Sequence, residues 1–185
     1  MNINLSPESS YVASNWNTVT EIFEATQQLK RVINQFLLSF EEELKTCDWW
    51  SDEWIFKTKG SNQIYISRKT WYSGGTYLVW IGIEDFEPKN VFGQSNSPQL
   101  YVYICGKNHV TLIKDLIDAL DEKENRDQSQ KNYAVREELQ KFSDGEVDNY
   151  LNQIRKRVLE FFTHFGQQKK WDDIIQQYIS TLKVE

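Results

Sequence analysis

The chain has 185 residues, 21 Lys plus Arg against 27 Asp plus Glu, a formal charge of -6 and a pI near 5.1. A chain of this length hides roughly two thirds of its unfolded surface on folding, enough for one domain with a real core and no disulfide or metal staple. Its aromatic content of 14%, with 7 Trp, 9 Tyr and 10 Phe, argues against disorder, and no apolar run approaches the roughly 18–20 residues of a membrane helix.

Residues 1–17 are expected to form an N-terminal arm ahead of the first helix. MNINLSPESS carries neither a basic region nor an apolar signal core, so a cytoplasmic location is expected. Thr18 and Glu21 have capping-box spacing and open a long helix over 18–46, in which Ile22, Ala25, Leu29, Ile33, Phe36, Phe40 and Leu44 recur every three or four residues. Val19, Phe23, Val32 and Leu37 widen that stripe to the breadth of a helix lying across a sheet. Glu41, Glu42 and Glu43 sit at the end where the helix dipole disfavours acid, so neighbouring bases are expected there or the end frays.

Over 53–105 the period changes to two. Trp54 and Phe56 alternate with Ile55 and Lys57, Lys59 to Asn62 make a turn, and Ile64 and Ile66 alternate with Tyr65 and Ser67, which reads as a hairpin. TYLVWIGI at 76–83 and Gln99–Ile104 are further strands, separated by a loop containing Pro88, Gly93 and Pro98. No crossover helix separates these segments, so the expectation is a four-stranded antiparallel meander. The helical period returns over 109–183: from Val110 to Leu120, over a short helix at Tyr133–Phe142, from a Ser143/Glu146 capping box to Gly166, and from Lys169 through Trp171, Ile175 and Ile179. The polar stretch 121–132 between them reads as a solvated loop. The fold class is therefore α+β, with a long N-terminal helix, an antiparallel sheet and a helical C-terminal half packing on it, in a single domain over 1–185.

Few residue patterns carry chemistry. His109 and His164 lie in no metal-ligand spacing, Cys47 and Cys105 form no CxxC pattern, and Gly74 and Gly75 lack the setting of a phosphate loop. No cofactor or metal is expected. One enzymatic alternative rests on Glu84, Asp85, Glu87 and Lys89, in which a carboxylate holds a divalent cation and the ammonium steadies a nucleophilic water. Glu87-Pro88-Lys89 has the ExK form and resembles the metal-binding segment of the restriction-endonuclease superfamily, a resemblance that implies a phosphodiesterase. There the motif lies within a strand, whereas Pro88 breaks one here, and the separate acid falls to Asp48 or Asp52.

The larger anomaly is the crowd of rings, with Trp49, Trp50, Trp54, Trp71, Tyr72, Tyr77 and Trp80 within one short stretch. Some must reach a surface, where Trp and Tyr supply anchor area at low ordering cost. Trp49, Trp50, Trp71 and Tyr72, with Arg68 and Lys69 beside them, are the expected contact residues for a protein partner. Charge disfavours duplex nucleic acid, yet residues 51–107 carry 6 bases against 5 acids, so the excess acid lies outside the sheet. The preferred function is an intracellular binding or inhibitory protein of the immunity, inhibitor or anti-defence type. A self-associating structural component, with the aromatic surface or the Trp171–Leu182 stripe as its interface, is a further alternative.

Overall fold

The fold was analysed in a computed structural model that describes residues 6–93, 95–105, 109–120 and 132–182. Two helices open the chain, α1 (Pro7–Ser14) and α2 (Trp16–Lys45). The N-terminal arm is thus helical from Pro7, and the reason is local: Ser6 Oγ accepts the Ser9 N–H at 3.2 Å, Pro7 occupies the first turn, and Glu8 faces the positive end of the dipole. Thr18 lies inside α2 and caps nothing. Asn15 joins the two helices at φ -122° and ψ 31°.

Only the second half of α2 meets the core, through Ile33, Phe36, Leu37, Phe40 and Leu44. The acidic end is offset as expected, Lys45 pairing with Glu41 at 3.1 Å and Glu42 at 2.9 Å while Arg155 pairs with Glu43.

The strands are β1 (Trp54–Thr58), β2 (Ile64–Arg68), β3 (Tyr72–Ser73), β4 (Thr76–Tyr77), β5 (Val79–Glu84), β6 (Gln99–Ile104) and β7 (Tyr133–Glu138). The main sheet has five antiparallel strands in the order β1-β2-β5-β6-β7, and β3 and β4 form a separate small hairpin. Its tip is Gly74-Gly75, with φ of 59° and 86°, the left-handed pair that a two-residue hairpin turn of matching twist requires. A short helical turn, α3 (Pro88–Val91), interrupts the loop between β5 and β6.

The fifth strand corrects the expected helix over Tyr133–Phe142. Ala134, Arg136 and Glu137 are good helix formers, but the free edge of β6 offers a ladder, and pairing there places Val135 beside Val102 in the core. The remaining helices among the described residues are α4 (His109–Asp118), α5 (Val147–Gly166) and α6 (Lys169–Leu182). Residues 121–131, most of the expected polar loop, lie outside the described residues. Glu146, not Ser143, precedes α5, and it makes no side-chain cap. Gly166 lacks the left-handed φ of a terminal cap; its missing side chain makes room for Trp49, whose ring a Cβ would meet at 2.6 Å.

The core lies between one face of the sheet and the helices. Ile64, Ile66, Val79, Ile81, Ile83, Leu100, Val102 and Ile104 join the apolar faces of α2, α4, α5 and α6 in one cluster. Trp171 sits at its centre, fully buried, stacked on Phe165 and donating Nε1–H to the Leu116 carbonyl at 3.1 Å. Among the described residues no helix is long and apolar enough to cross a membrane.

Candidate functional site

The tryptophans expected at a surface gather instead where the end of α2 meets β1. Trp49 lies 5.7 Å from Trp50 and 5.4 Å from Trp54, and Trp54 lies edge-on to Trp71 at 5.4 Å. Trp71 is only 1% exposed, which corrects its expected place on the rim: it belongs to the core. The short 3-10 turn Lys69–Trp71 swings it inward, where its Nε1–H donates to Asp172 Oδ1 at 2.7 Å.

Arg68 pairs with the same carboxylate and lies 5.2 Å over the Trp54 ring, so its charge is neutralised within the chain; burial pulls its pKa down. Asp48, Trp49, Trp54, Arg68, Lys169 and Asp172 line a cleft of about 520 Å³ here. Trp49 and Trp50 are half-buried beside it. Lys69 is exposed, and Tyr72, 52% exposed, leans on Tyr77 in the separate β3–β4 hairpin. The six expected contact residues are therefore split between a core, a cleft and a hairpin.

The acidic set also separates. Glu87 precedes α3 and pairs with Lys89 at 3.0 Å, and Asp85, at φ 58°, offers its carbonyl to Asn90 at 2.9 Å. Glu84 is drawn the other way, onto the sheet. Asp48 lies at the tryptophan cleft and Asp52 is exposed just before β1. Among the described residues no three His, Cys, Asp or Glu side chains come close enough together to hold a metal ion. Cys47 and Cys105 are both free thiols, and burial pushes the Cys47 thiol up.

The second face of the sheet is where the remaining rings assemble. Strand alternation turns the aliphatic residues of β2, β5 and β6 to the core and Tyr65, Trp80, Tyr101 and Tyr103 to the opposite side, and none of these four belongs to the core cluster. Tyr65 stacks on Trp80 at 4.5 Å and 8°, Trp80 lies 5.7 Å from Tyr103, and Tyr103 lies 5.1 Å from Tyr133. Their polar atoms are held locally: Gln63 donates to the Tyr101 hydroxyl at 2.6 Å and Asn132 to the Tyr103 hydroxyl at 2.8 Å. Gly82 makes the row low. A Cβ there would lie 2.7 Å from the Tyr101 ring, so the missing side chain lets Tyr101 lie along the sheet.

A bulge completes this face. Tyr103 pairs with Tyr133, Val102 with Val135 and Tyr101 with Arg136, which leaves Ala134 as the extra residue. Without it Tyr133 and Arg136, three apart, would point to opposite faces; with it both reach Glu84. The Tyr133 hydroxyl donates to Glu84 at 3.1 Å, and Arg136 Nη2 lies 3.4 Å from the same carboxylate while its guanidinium sits 5.0 Å over the Tyr133 ring. Burial pushes the Glu84 carboxyl above its ordinary pKa despite Tyr133 and Arg136, and burial with the Glu84 charge lifts the Tyr133 phenol to about 12. At one end of the face, a half-buried acid is thus clamped between a phenol and a guanidinium.

Tyr65, Tyr101, Tyr103, Tyr133 and Arg136 are absent from the sequence-based set. For the first three the signal is present: each alternates with Ile, Leu or Val in its strand, so aliphatic and aromatic residues segregate by face. Tyr133 and Arg136 depend on a strand and a bulge that the local sequence does not announce. Comparison with known proteins finds no matching family model, no matching curated protein and no matching solved structure.

Proposed function

We propose that the chain is a macromolecule-binding protein, of the inhibitory or immunity type, that recognises a protein partner with its ring-bearing sheet face. The observation that carries this reading is the row Tyr65, Trp80, Tyr103 and Tyr133 standing outside the core on the face opposite the helices. The fold has no need of rings there, because aliphatic residues fill the core side of the same strands. Tyr, Trp and Arg are the residues enriched at protein contacts, and each ring here is braced by a neighbour or a hydrogen bond, so little ordering entropy is lost on binding.

Two features favour a protein over a single-stranded nucleic acid. Trp80 already has Tyr65 stacked on it, Tyr103 beside it and Lys59 Nζ 6.0 Å from its centroid, so its face is engaged within the chain and bases cannot intercalate freely. Arg136 is bound to Glu84 rather than free for phosphate. The metal-dependent phosphodiesterase alternative has weaker support, since Glu84 is committed to Tyr133 and Arg136 and Glu87 to Lys89.

The test is parallel affinity capture from a native extract with the wild-type chain, Tyr103→Ala and Trp49→Ala as baits. A protein retained by wild type and Trp49→Ala but lost with Tyr103→Ala supports the sheet face. Equal retention by Tyr103→Ala would reject it.

A further inference from the structure

The ring-bearing face carries a leftover charge whose sign is opposite to that of the whole chain. Cross-strand register sets Lys57 beside Tyr65, Arg136 beside Tyr101, and Glu84, Gln99 and Glu138 in one row, so these side chains share the face with the rings. Lys59, in the turn after β1, joins them: its Nζ lies 6.0 Å from the Trp80 centroid. Three bases, Lys57, Lys59 and Arg136, thus stand against two acids, Glu84 and Glu138, in a chain whose formal charge is -6. Glu84 takes up Arg136, and Glu138, on the edge strand β7, lies 3.5 Å from the Gln99 amide. Lys59 feels the Glu84 charge at a distance, but the oxygens of that carboxylate go to Tyr133 and Arg136. The β1 side, where Tyr65 stacks on Trp80, is left with two exposed lysines that make no ion pair with any described residue. Elsewhere bases find acids: Lys45 meets Glu41 and Glu42, Lys89 meets Glu87, and Arg157 meets Glu137.

We propose that the protein partner meets this side with an acidic segment, which sets carboxylates over Lys57 and Lys59 and lays apolar side chains on Tyr65, Trp80 and Tyr103. Such a partner presupposes the ring-bearing face as the contact surface, the reading proposed above, and adds to it the sign of the opposing charge. A lysine on an edge strand also deters pairing with a stray strand, and Lys57 by itself meets that need. Lys59 lies past β1, its ammonium drawn back over an indole, where it is held ready for a carboxylate rather than spread into solvent. Opposite charges across a contact speed encounter and fix orientation, so a chain that repels acidic proteins as a whole gains one docking point for them. The phosphates of a nucleic acid would also answer the two ammoniums, but its bases need open ring faces, and Tyr65 already covers one face of Trp80.

Two experiments on the full chain test the acidic segment. In the first, fluorescence anisotropy follows binding of labelled deca-glutamate, deca-lysine and a single-stranded oligo-dT of the same length. Deca-glutamate should bind best of the three. Lys57→Gln with Lys59→Gln should raise its dissociation constant about ten-fold, whereas Lys30→Gln with Lys156→Gln, at two exposed lysines on helices, should leave it within about two-fold. Tighter binding of oligo-dT, or an equal effect of the two double variants, would overturn the proposal. In the second, Lys57→Glu with Lys59→Glu joins the baits of the capture described above. The protein retained by wild type should be lost with this charge-reversed bait and released from wild type by about 0.5 M salt. If Tyr103→Ala loses that protein while the charge-reversed bait keeps it, the contact face stands and the acidic segment falls. If both baits keep it, the contact face falls and the acidic segment with it.

Discussion

Gly82 is the position at which a single methyl group tests the geometry of the sheet face most sharply. A Cβ there would stand 2.5 Å from the Ile64 carbonyl oxygen on β2 and 2.7 Å from the Tyr101 ring on β6. To reach even 3.0 Å, β2 must retreat by about 0.5 Å and the ring by about 0.3 Å, and the first of these neighbours is backbone locked in a ladder. Overpacking of this kind costs about 3 kcal/mol, while the lower entropy of the unfolded alanine chain returns up to about 1 kcal/mol. Gly82→Ala should therefore lose about 2 kcal/mol, a fall in melting temperature of about 4–8 °C for a chain of this size. Thermal and urea denaturation measure it. On a Tyr101→Ala background, where the ring contact is already gone and the Ile64 carbonyl alone stands in the way, the same glycine-to-alanine change should cost less than it does in wild type. A Gly82→Ala variant as stable as wild type would refute the reasoning.

Other expectations follow from the same contacts. Trp71→Phe keeps much of the packing but loses the N–H bond to the Asp172 carboxylate, and should cost about 1.5–3 kcal/mol by chemical denaturation; Trp71→Ala should cost about 3–5 kcal/mol. Gly166→Ala drives a methyl into the Trp49 ring and should break the Trp49 Nε1–Thr163 bond of 3.2 Å, visible as a shift in tryptophan fluorescence with a stability loss of about 1 kcal/mol. Glu84 has a sign that can be checked. Its carboxyl holds a proton more tightly folded than unfolded, so the stability it contributes is full below the ordinary carboxylate pKa and is lost as pH rises through the raised value. Relative to Glu84→Gln, wild type should lose stability from mildly acidic to neutral pH; a relative gain would mean that Arg136 outweighs burial.

How much of this was legible in the sequence depended on how local the determinants were. The hairpin of Trp54 to Arg68, the strand Gln99–Ile104 and the last two helices follow from period and turn residues, and the structure has them at those places. α1 was legible too, in Ser6-Pro7-Glu8, but the Thr18/Glu21 pair carried the reading further along the chain. β7 was not, because its residues prefer helix and only the edge of β6 reverses that preference. The ring count led to Trp49, Trp50, Trp71 and Tyr72 as surface rings, and of these Trp71 is buried. Trp71 is buried because a 3-10 turn directs it to Asp172, a partner 101 positions away, and no local pattern encodes that contact.

Recognition of a partner by Tyr65, Trp80, Tyr103 and Tyr133 is the proposal on which the function rests. The most direct measurement is the binding isotherm of the captured partner with Tyr103→Ala, beside the melting temperature of the same variant. A contact hot spot should lose about 2 kcal/mol or more of affinity, roughly thirty-fold. The half-buried ring should lower the melting temperature by only about 2–4 °C. Unaltered affinity in a variant that folds would mean that this face is not the contact surface.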